Sequence, residues 1–70
     1  MADVTMPMNG KVIAVKVQVG QAVGEDDEVV IIEAMKMELP IVTPVAGTVK
    51  EIKAKEGESY QVGDVLAVIG

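Results

Sequence analysis

The stretch Glu28-Val29-Val30-Ile31-Ile32-Glu33-Ala34-Met35-Lys36-Met37-Glu38-Leu39-Pro40-Ile41-Val42-Thr43 can be read as a helix or as a hairpin, and the fold turns on which. Its centre, Glu33 to Leu39, consists of good helix formers. Pro40 overrules them: it disfavours helical backbone at Leu39, which leaves a segment shorter than an ordinary globular helix. Leu39–Thr43 is again β-like, and Glu28–Glu33 is tied to an extended conformation by a second copy of itself further along the chain. Two strands joined by a very short link make a hairpin.

That second copy belongs to a repeat. A shift of 37 residues superimposes the halves of the chain without a gap. Pro7 falls on Pro44, Gly10 on Gly47, Val12 on Val49, Lys16 on Lys53, Gly20 on Gly57, Asp27 on Asp64 and Ile32 on Ile69. Val15 over Ile52, Val23 over Tyr60, Val29 over Leu66 and Ile31 over Val68 fill in between. A Val- and Gly-rich chain can match itself by chance, but Pro and two Gly in one register mark backbone positions rather than general apolarity. Two repeats are too few for a solenoid. They predict one closed unit over residues 1–70, two similar halves about a pseudo-two-fold axis. Residues 34–43 lie between the repeats with no counterpart after Gly70, so Lys36 sits on the one asymmetric connection.

Composition agrees with strands. The chain has 14 Val, 6 Ile and 3 Thr against 2 Leu, and β-branched residues favour pleated backbone. Val15, Val17 and Val19 alternate with Lys16 and Gln18, and Gly or Pro punctuates the chain every few residues. An all-β sandwich or barrel follows.

The same composition excludes much chemistry. There is no His, Cys, Trp, Phe or Arg among the 70 residues. Zinc, haem and iron–sulfur sites lose their usual ligands, and the commonest general base and the best protein nucleophile are missing. This argues against a self-contained enzyme. A net charge of −5 with one Tyr argues against nucleic acid and anionic lipid. Apolar runs of about four residues fall far short of the ~20 of a membrane span. The first residues have no secretory pattern, and the lack of cysteine suits a reducing cytoplasm. Met1 and the absence of a Pro/Ala-rich linker suggest a free-standing unit. The acidic run Glu25-Asp26-Asp27-Glu28 lacks the spaced ligands and Gly of an EF-hand loop and reads as a solvated turn.

With Met35 and Lys36 as the two central turn residues, Ala34 faces Met37, Glu33 faces Glu38, Ile32 faces Leu39 and Val30 faces Ile41. Two-residue hairpins favour positive φ, normally supplied by Asn or Gly, so Met-Lys is a poor choice. Glu33 opposite Glu38 is a poor pair as well. Local rules broken together at one tip mark a functional site rather than an ordinary solvated lysine. The remaining lysines, Lys11, Lys16, Lys50, Lys53 and Lys55, fall on strands or strand edges by the period-two reading.

Glu33-Ala34-Met35-Lys36-Met37-Glu38 resembles the attachment motif of biotinyl domains, the carrier modules of biotin-dependent carboxylases. The resemblance covers nearly the whole chain. Pro7–Val12 is similar to the family's opening strand, Val19–Val23 to its first turn, Pro44–Val49 to the opening of its second half, and Gly63–Ile69 to its closing strand. It implies a flattened eight-stranded β-barrel or sandwich (a barrel-sandwich hybrid) with quasi-two-fold symmetry. One departure is visible: Asp26 stands where the second half has Gly63 and where family members often have Gly. Asp tolerates positive φ less well, which bears on the turn at 24–27.

The resemblance further implies that Lys36 forms an amide with biotin. Met35, Met37, Ala34, Glu33 and Glu38 are then the flanks that a biotin protein ligase reads. A biotin carboxylase would load CO₂ as carboxybiotin, and a carboxyltransferase would pass it to an acceptor, with an acyl-CoA carboxylase as the expected setting. The domain is a non-catalytic tether. A lipoyl carrier of a 2-oxoacid dehydrogenase or glycine cleavage system has the same fold, but its motif typically places Asp before the lysine and Ala after it. An unmodified interaction module, with the methionines as a plastic apolar patch, is the third reading.

Overall fold

The structure, a computed structural model, describes residues 1–70. Every regular element is a strand: β1 (Ala2–Thr5), β2 (Gly10–Val15), β3 (Ala22–Val23), β4 (Glu28–Ala34), β5 (Met37–Val42), β6 (Gly47–Ile52), β7 (Ser59–Tyr60) and β8 (Val65–Ile69). They form two four-stranded sheets, ordered β1-β8-β6-β3 and β5-β4-β2-β7, with every pairing antiparallel. The molecule is elongated, 31 × 17 × 16 Å. It is the all-β unit of two similar halves that the repeat predicts, and the eight-stranded barrel-sandwich that the resemblance implies.

The 37-residue repeat governs both sheets. It carries β2 onto β6, β3 onto β7 and β4 onto β8, and thereby one sheet onto the other. The register follows residue by residue. Val12 pairs with Ile32 as Val49 pairs with Ile69, and Ala14 with Ile31 as Glu51 with Val68, so even the register shift recurs. The turns repeat too. Asp27 Oδ2 accepts the Gly24 N–H at 2.7 Å, and Asp64 Oδ2 accepts the Gln61 N–H at 2.8 Å. The Asp27/Asp64 identity is therefore a turn clasp, which gives Asp27 of the acidic run a structural task. No group of acidic residues is placed to hold a metal ion.

Two expectations are corrected. Residues 39–42 do have a counterpart, at the start of the chain: Ile32 pairs with Leu39 as Ile69 pairs with Ala2, and Val30 with Ile41 as Ala67 with Val4. What lacks a counterpart is the turn itself. At the equivalent pole the two chain ends lie side by side, with β1 laid against β8. The Val15–Val19 alternation also outruns its strand. β2 ends at Val15 and Val17 stays buried, but Val19 is exposed, because the chain turns off where Gly20 N–H reaches Val49 O at 2.8 Å.

Fifteen buried apolar residues form one core between the sheets, with Val12, Val29, Val30, Ile32, Leu66 and Ala67 wholly removed from water. Their burial offsets the ordering of the strands at about 1.5–3 kcal/mol for each Val, Leu or Ile side chain. Thr43 is the single buried polar residue, and its hydroxyl donates to Val45 O at 2.7 Å. Gly10 and Gly47 are glycine because strands meet there: a Cβ would lie 2.8 Å from Glu33 O in one case and 2.9 Å from Gly70 O in the other. Asp26 takes the positive φ of its equivalent glycine, 70° against 89° at Gly63, so the first-half turn keeps its shape despite the substitution.

Candidate functional site

β4 and β5 run as a ladder from Glu28/Val42 to Ala34/Met37, and the two residues left over at its end are Met35 and Lys36. Their φ values are 53° and 64°, as a primed two-residue turn demands. Only one other non-glycine residue, Asp26, has positive φ. Left-handed backbone costs about 1–2 kcal/mol for an ordinary residue, so the tip holds strain that Asn-Gly would not. The ladder behind it and the buried Ala34 (5 % exposed) fix the turn in place.

Lys36 is exposed, and its Nζ takes no part in the side-chain hydrogen bonds of the domain. Met35 is 88 % exposed and Met37 60 %, which places apolar, flexible side chains in water on both sides of the amine. Glu33 and Glu38 are exposed and directly opposite each other. Sequence reading missed that Lys11 on β2 lies directly opposite Glu33 on its other side. In the row Lys11–Glu33–Glu38 the lysine flanks Glu33 on the side away from Glu38 and relieves part of the like-charge repulsion.

The other lysines are held differently. Lys11 and Lys50 lie within β2 and β6. Lys16 and Lys53 lie just past those strands, yet their N–H groups donate to Val29 O and Leu66 O, each at 2.8 Å. Lys55 is off the strands altogether, beside the Glu56–Gly57 turn, with its N–H held by the Tyr60 hydroxyl oxygen at 2.9 Å. The strand assignment for Lys55 is thus corrected. Lys36 alone among the lysines sits at a tip with positive φ.

A shallow groove of about 520 Å³ opens beside the tip. Glu33, Ala34 and Met35 form one wall, and Ser59, Tyr60 and Gln61 the other. The sequence holds only a faint trace of it: in the repeat, Tyr60 over Val23 and Ser59 over Ala22 put a phenol and a hydroxyl where the other half has smaller apolar side chains.

An unpartnered primary amine on a rigid, projecting turn suits a cofactor attached through an amide to its carboxylate, since nothing in the domain must be displaced to reach it. The comparisons agree in kind. The family model described as "Biotin-requiring enzyme" matches residues 2–69. A biotin/lipoyl attachment protein of Bacillus subtilis is 46% identical over 63 residues, covering 90% of this chain and 86% of its own. A biotin carboxyl carrier protein of Streptococcus mutans is 44% identical over 63 residues, 90% of this chain and 48% of its own. The mitochondrial propionyl-CoA carboxylase alpha chain of Homo sapiens is 43% identical over 60 residues, 86% of this chain and 8% of its own. Among solved structures, the Kluyveromyces lactis urea carboxylase superposes with a TM-score of 0.93 at 33% identity, over 99% of this chain and 6% of that one. The lipoyl domain of the Azotobacter vinelandii 2-oxoglutarate dehydrogenase complex gives 0.74 at 27%, over 89% of this chain and 78% of that one. The chain thus matches most of the length of the Bacillus protein but a small part of each carboxylase. With its two sheets, its repeat and its projecting lysine turn, the chain belongs to the biotin/lipoyl attachment family, as a biotin-requiring carrier domain.

Proposed function

We propose that residues 1–70 form one biotinyl domain acting as a biotin carboxyl carrier, with Lys36 as the residue that bears biotin. The observation that carries this is the free amine of Lys36 at the exposed, positive-φ tip. Met35, Met37, Ala34, Glu33 and Glu38 are the flanks that a biotin protein ligase reads. Ala34 anchors the turn from below, and the two methionines give the ligase apolar contacts on either side of the amine.

The ligase supplies the positioning and takes up the proton that the amine loses on acylation. Lys36 Nζ attacks the acyl carbon of biotinyl-AMP; the amide C–N bond forms as the acyl–phosphate bond breaks and AMP leaves. The charge falls from −5 to −6. Once attached, biotin supplies a ureido nitrogen that takes up and releases a carboxyl group. The domain contributes no catalytic group to that chemistry. It contributes the tether, which raises the effective concentration at two partner sites, a biotin carboxylase and a carboxyltransferase. The acceptor we assign is an acyl-CoA, for which the likeness to the propionyl-CoA carboxylase alpha chain is the support. A cytoplasmic setting goes with this reading, the lack of cysteine being its support.

A lipoyl carrier is the second reading; its support is the likeness to the lipoyl domain, which is weaker than that to the urea carboxylase. Intact mass and peptide mapping of the protein from biotin-supplied cells test the first. Biotin on Lys36, and its loss in Lys36→Arg, is the expected result. Biotin persisting on that variant overturns the assignment. Co-purification with an acyl-CoA-dependent, rather than pyruvate- or urea-dependent, carboxylase activity tests the acceptor.

A further inference from the structure

The repeat provides an internal control for the β2–β7 side of the groove beside Lys36. The strand register recurs at the two poles, but the lysine pole has the β4–β5 turn where the opposite pole has the chain ends, so the comparison holds for the side chains of β2 and β7 and the residues next to them. At the lysine pole, Lys11 pairs with Ser59 and Gly10 with Tyr60. At the opposite pole the equivalent pairs are Thr48 with Ala22 and Gly47 with Val23. Gln61 and Asn9 are likewise replaced there, by Gly24 and Ala46. The groove exists at the lysine pole only. Since the opposite pole folds with small and apolar residues, folding does not require the polar and aromatic set at this one.

The set is also ordered. The Tyr60 hydroxyl oxygen accepts the Lys55 N–H at 2.9 Å, which pins the side chain where it packs on the core and lines the groove. Asn9 Oδ1 accepts the Val62 N–H at 2.8 Å, which leaves the amide NH₂ of Asn9 free to donate. Lys11 adds an ammonium donor and Glu33 a carboxylate acceptor on the same row of the sheet. An aromatic side chain, two donors and an acceptor along a shallow groove lined mostly by polar residues complement a neutral bicycle with one carbonyl and two N–H groups.

We propose that this groove is a docking seat, in cis, for the biotin ring carried on Lys36, with Tyr60 as its floor and Lys11, Asn9 and Glu33 as its polar partners. The proposal rests on Lys36 being the biotin-bearing residue. Reach permits it. The groove spans from β4 across β2 to β7, two strand spacings or roughly 10 Å. The lysine stem, amide and valeryl chain supply roughly ten bonds of about 1.5 Å, enough to turn back and cover that distance. Met35 stands at the rim and closes over the arm as a flexible apolar flap. Docking withdraws the ring from solvent between visits, and a partner enzyme must draw it out.

The test compares ¹⁵N-labelled protein in three forms: unmodified, biotinylated, and Lys36→Gln, which removes the charge but adds no arm. Peptide mapping first locates biotin. Biotin elsewhere than Lys36 overturns both this proposal and the reading beneath it. With Lys36 loaded, amide shifts at Lys11, Ser59, Tyr60 and Gln61 that Lys36→Gln lacks are the expected result. Shifts confined to residues 33–38 overturn docking and leave the carrier reading standing. The variant Lys11→Thr/Ser59→Ala/Gln61→Gly installs side chains that the same backbone bears at the opposite pole. It should abolish the Tyr60 shift and speed avidin capture of the biotinylated protein about threefold, as expected when a mostly docked arm is freed. An unchanged capture rate overturns the proposal.

Discussion

Glu33 and Glu38 face each other directly across the β4–β5 ladder, one pair behind the Met35–Lys36 turn. Like charges so placed destabilise a sheet, and Lys11 on the far side of Glu33 relieves only part of it. Glu38→Lys makes the row alternate in sign and should raise unfolding stability by about 0.2–1 kcal/mol, read by urea denaturation. The same change should slow the initial rate of ligase-catalysed biotinylation, because it alters a flank of the attachment turn. An unchanged rate would show that Glu38 is not read by the ligase.

Gly10 and Gly47 provide a matched pair. A Cβ at Gly10 meets Glu33 O at 2.8 Å and Ala34 Cβ at 3.2 Å; one at Gly47 meets Gly70 O at 2.9 Å and Ile69 Cγ2 at 3.0 Å. Each Gly→Ala should cost about 1–3 kcal/mol by overpacking. Only Gly10 presses on the end of β4 that carries the turn. Gly10→Ala should therefore also lower the biotinylation rate at a temperature where both variants are fully folded, while Gly47→Ala leaves it near that of the parent. Equal effects on loading would separate the turn from its support.

The turn residues themselves carry the third prediction. Met35 and Lys36 have φ of 53° and 64°, and Asp26 has 70°. Glycine adopts such backbone freely, so Lys36→Gly and Asp26→Gly should each stabilise by about 1 kcal/mol, offset in part by the greater freedom of glycine in the unfolded chain. They should diverge in function. Lys36→Gly abolishes biotinylation, whereas Asp26→Gly does not change it, since β4 separates residue 26 from the tip by its seven-residue length. A destabilised Lys36→Gly protein would refute the account of strain.

The gross plan was legible because it depends on residues near one another in sequence. Pro40 and the flanking β-branched runs gave the hairpin, and its register, Ala34/Met37 to Val30/Ile41, follows once the turn is placed at Met35–Lys36. The identities Pro7/Pro44 and Gly10/Gly47 gave the pseudo-two-fold. The end of β2 at Val15 was not legible, because it is set by the Gly20–Val49 hydrogen bond between distant segments. Nor was the groove, whose walls come from β4 and β7 and meet only because both pair with β2. The N-terminal strand was missed as the partner of β8 for a related reason: its four residues carry little periodicity, and its place is fixed by β8.

Biotin and lipoate reach a lysine on the same kind of hairpin through the same kind of acyl-adenylate, so Lys36 alone does not discriminate between them. The choice falls to the exposed side chains around it, chiefly Met35 and Met37. The lipoyl pattern would put a carboxylate at the first and a single methyl at the second, adding charge before the amine and removing apolar reach after it. Specificity is a difference between two affinities, and a few kcal/mol at these flanks suffices to separate two ligases. The unaltered apo domain, incubated with each purified ligase, its own acid and ATP, should be biotinylated at the higher initial rate. Met35→Asp/Met37→Ala should lose biotinylation by about tenfold or more, the equivalent of about 1.4 kcal/mol, and gain in lipoylation. Both substitutions lie at exposed positions and leave the core untouched, and loading is compared where parent and variant are both fully folded, so that the easier fit of Asp to the positive φ of residue 35 does not enter. Slow lipoylation of the parent is compatible with a biotin carrier, because the backbone of the turn is common to both groups. Lipoylation of the parent faster than its biotinylation is not, and would make the lipoyl reading the better one.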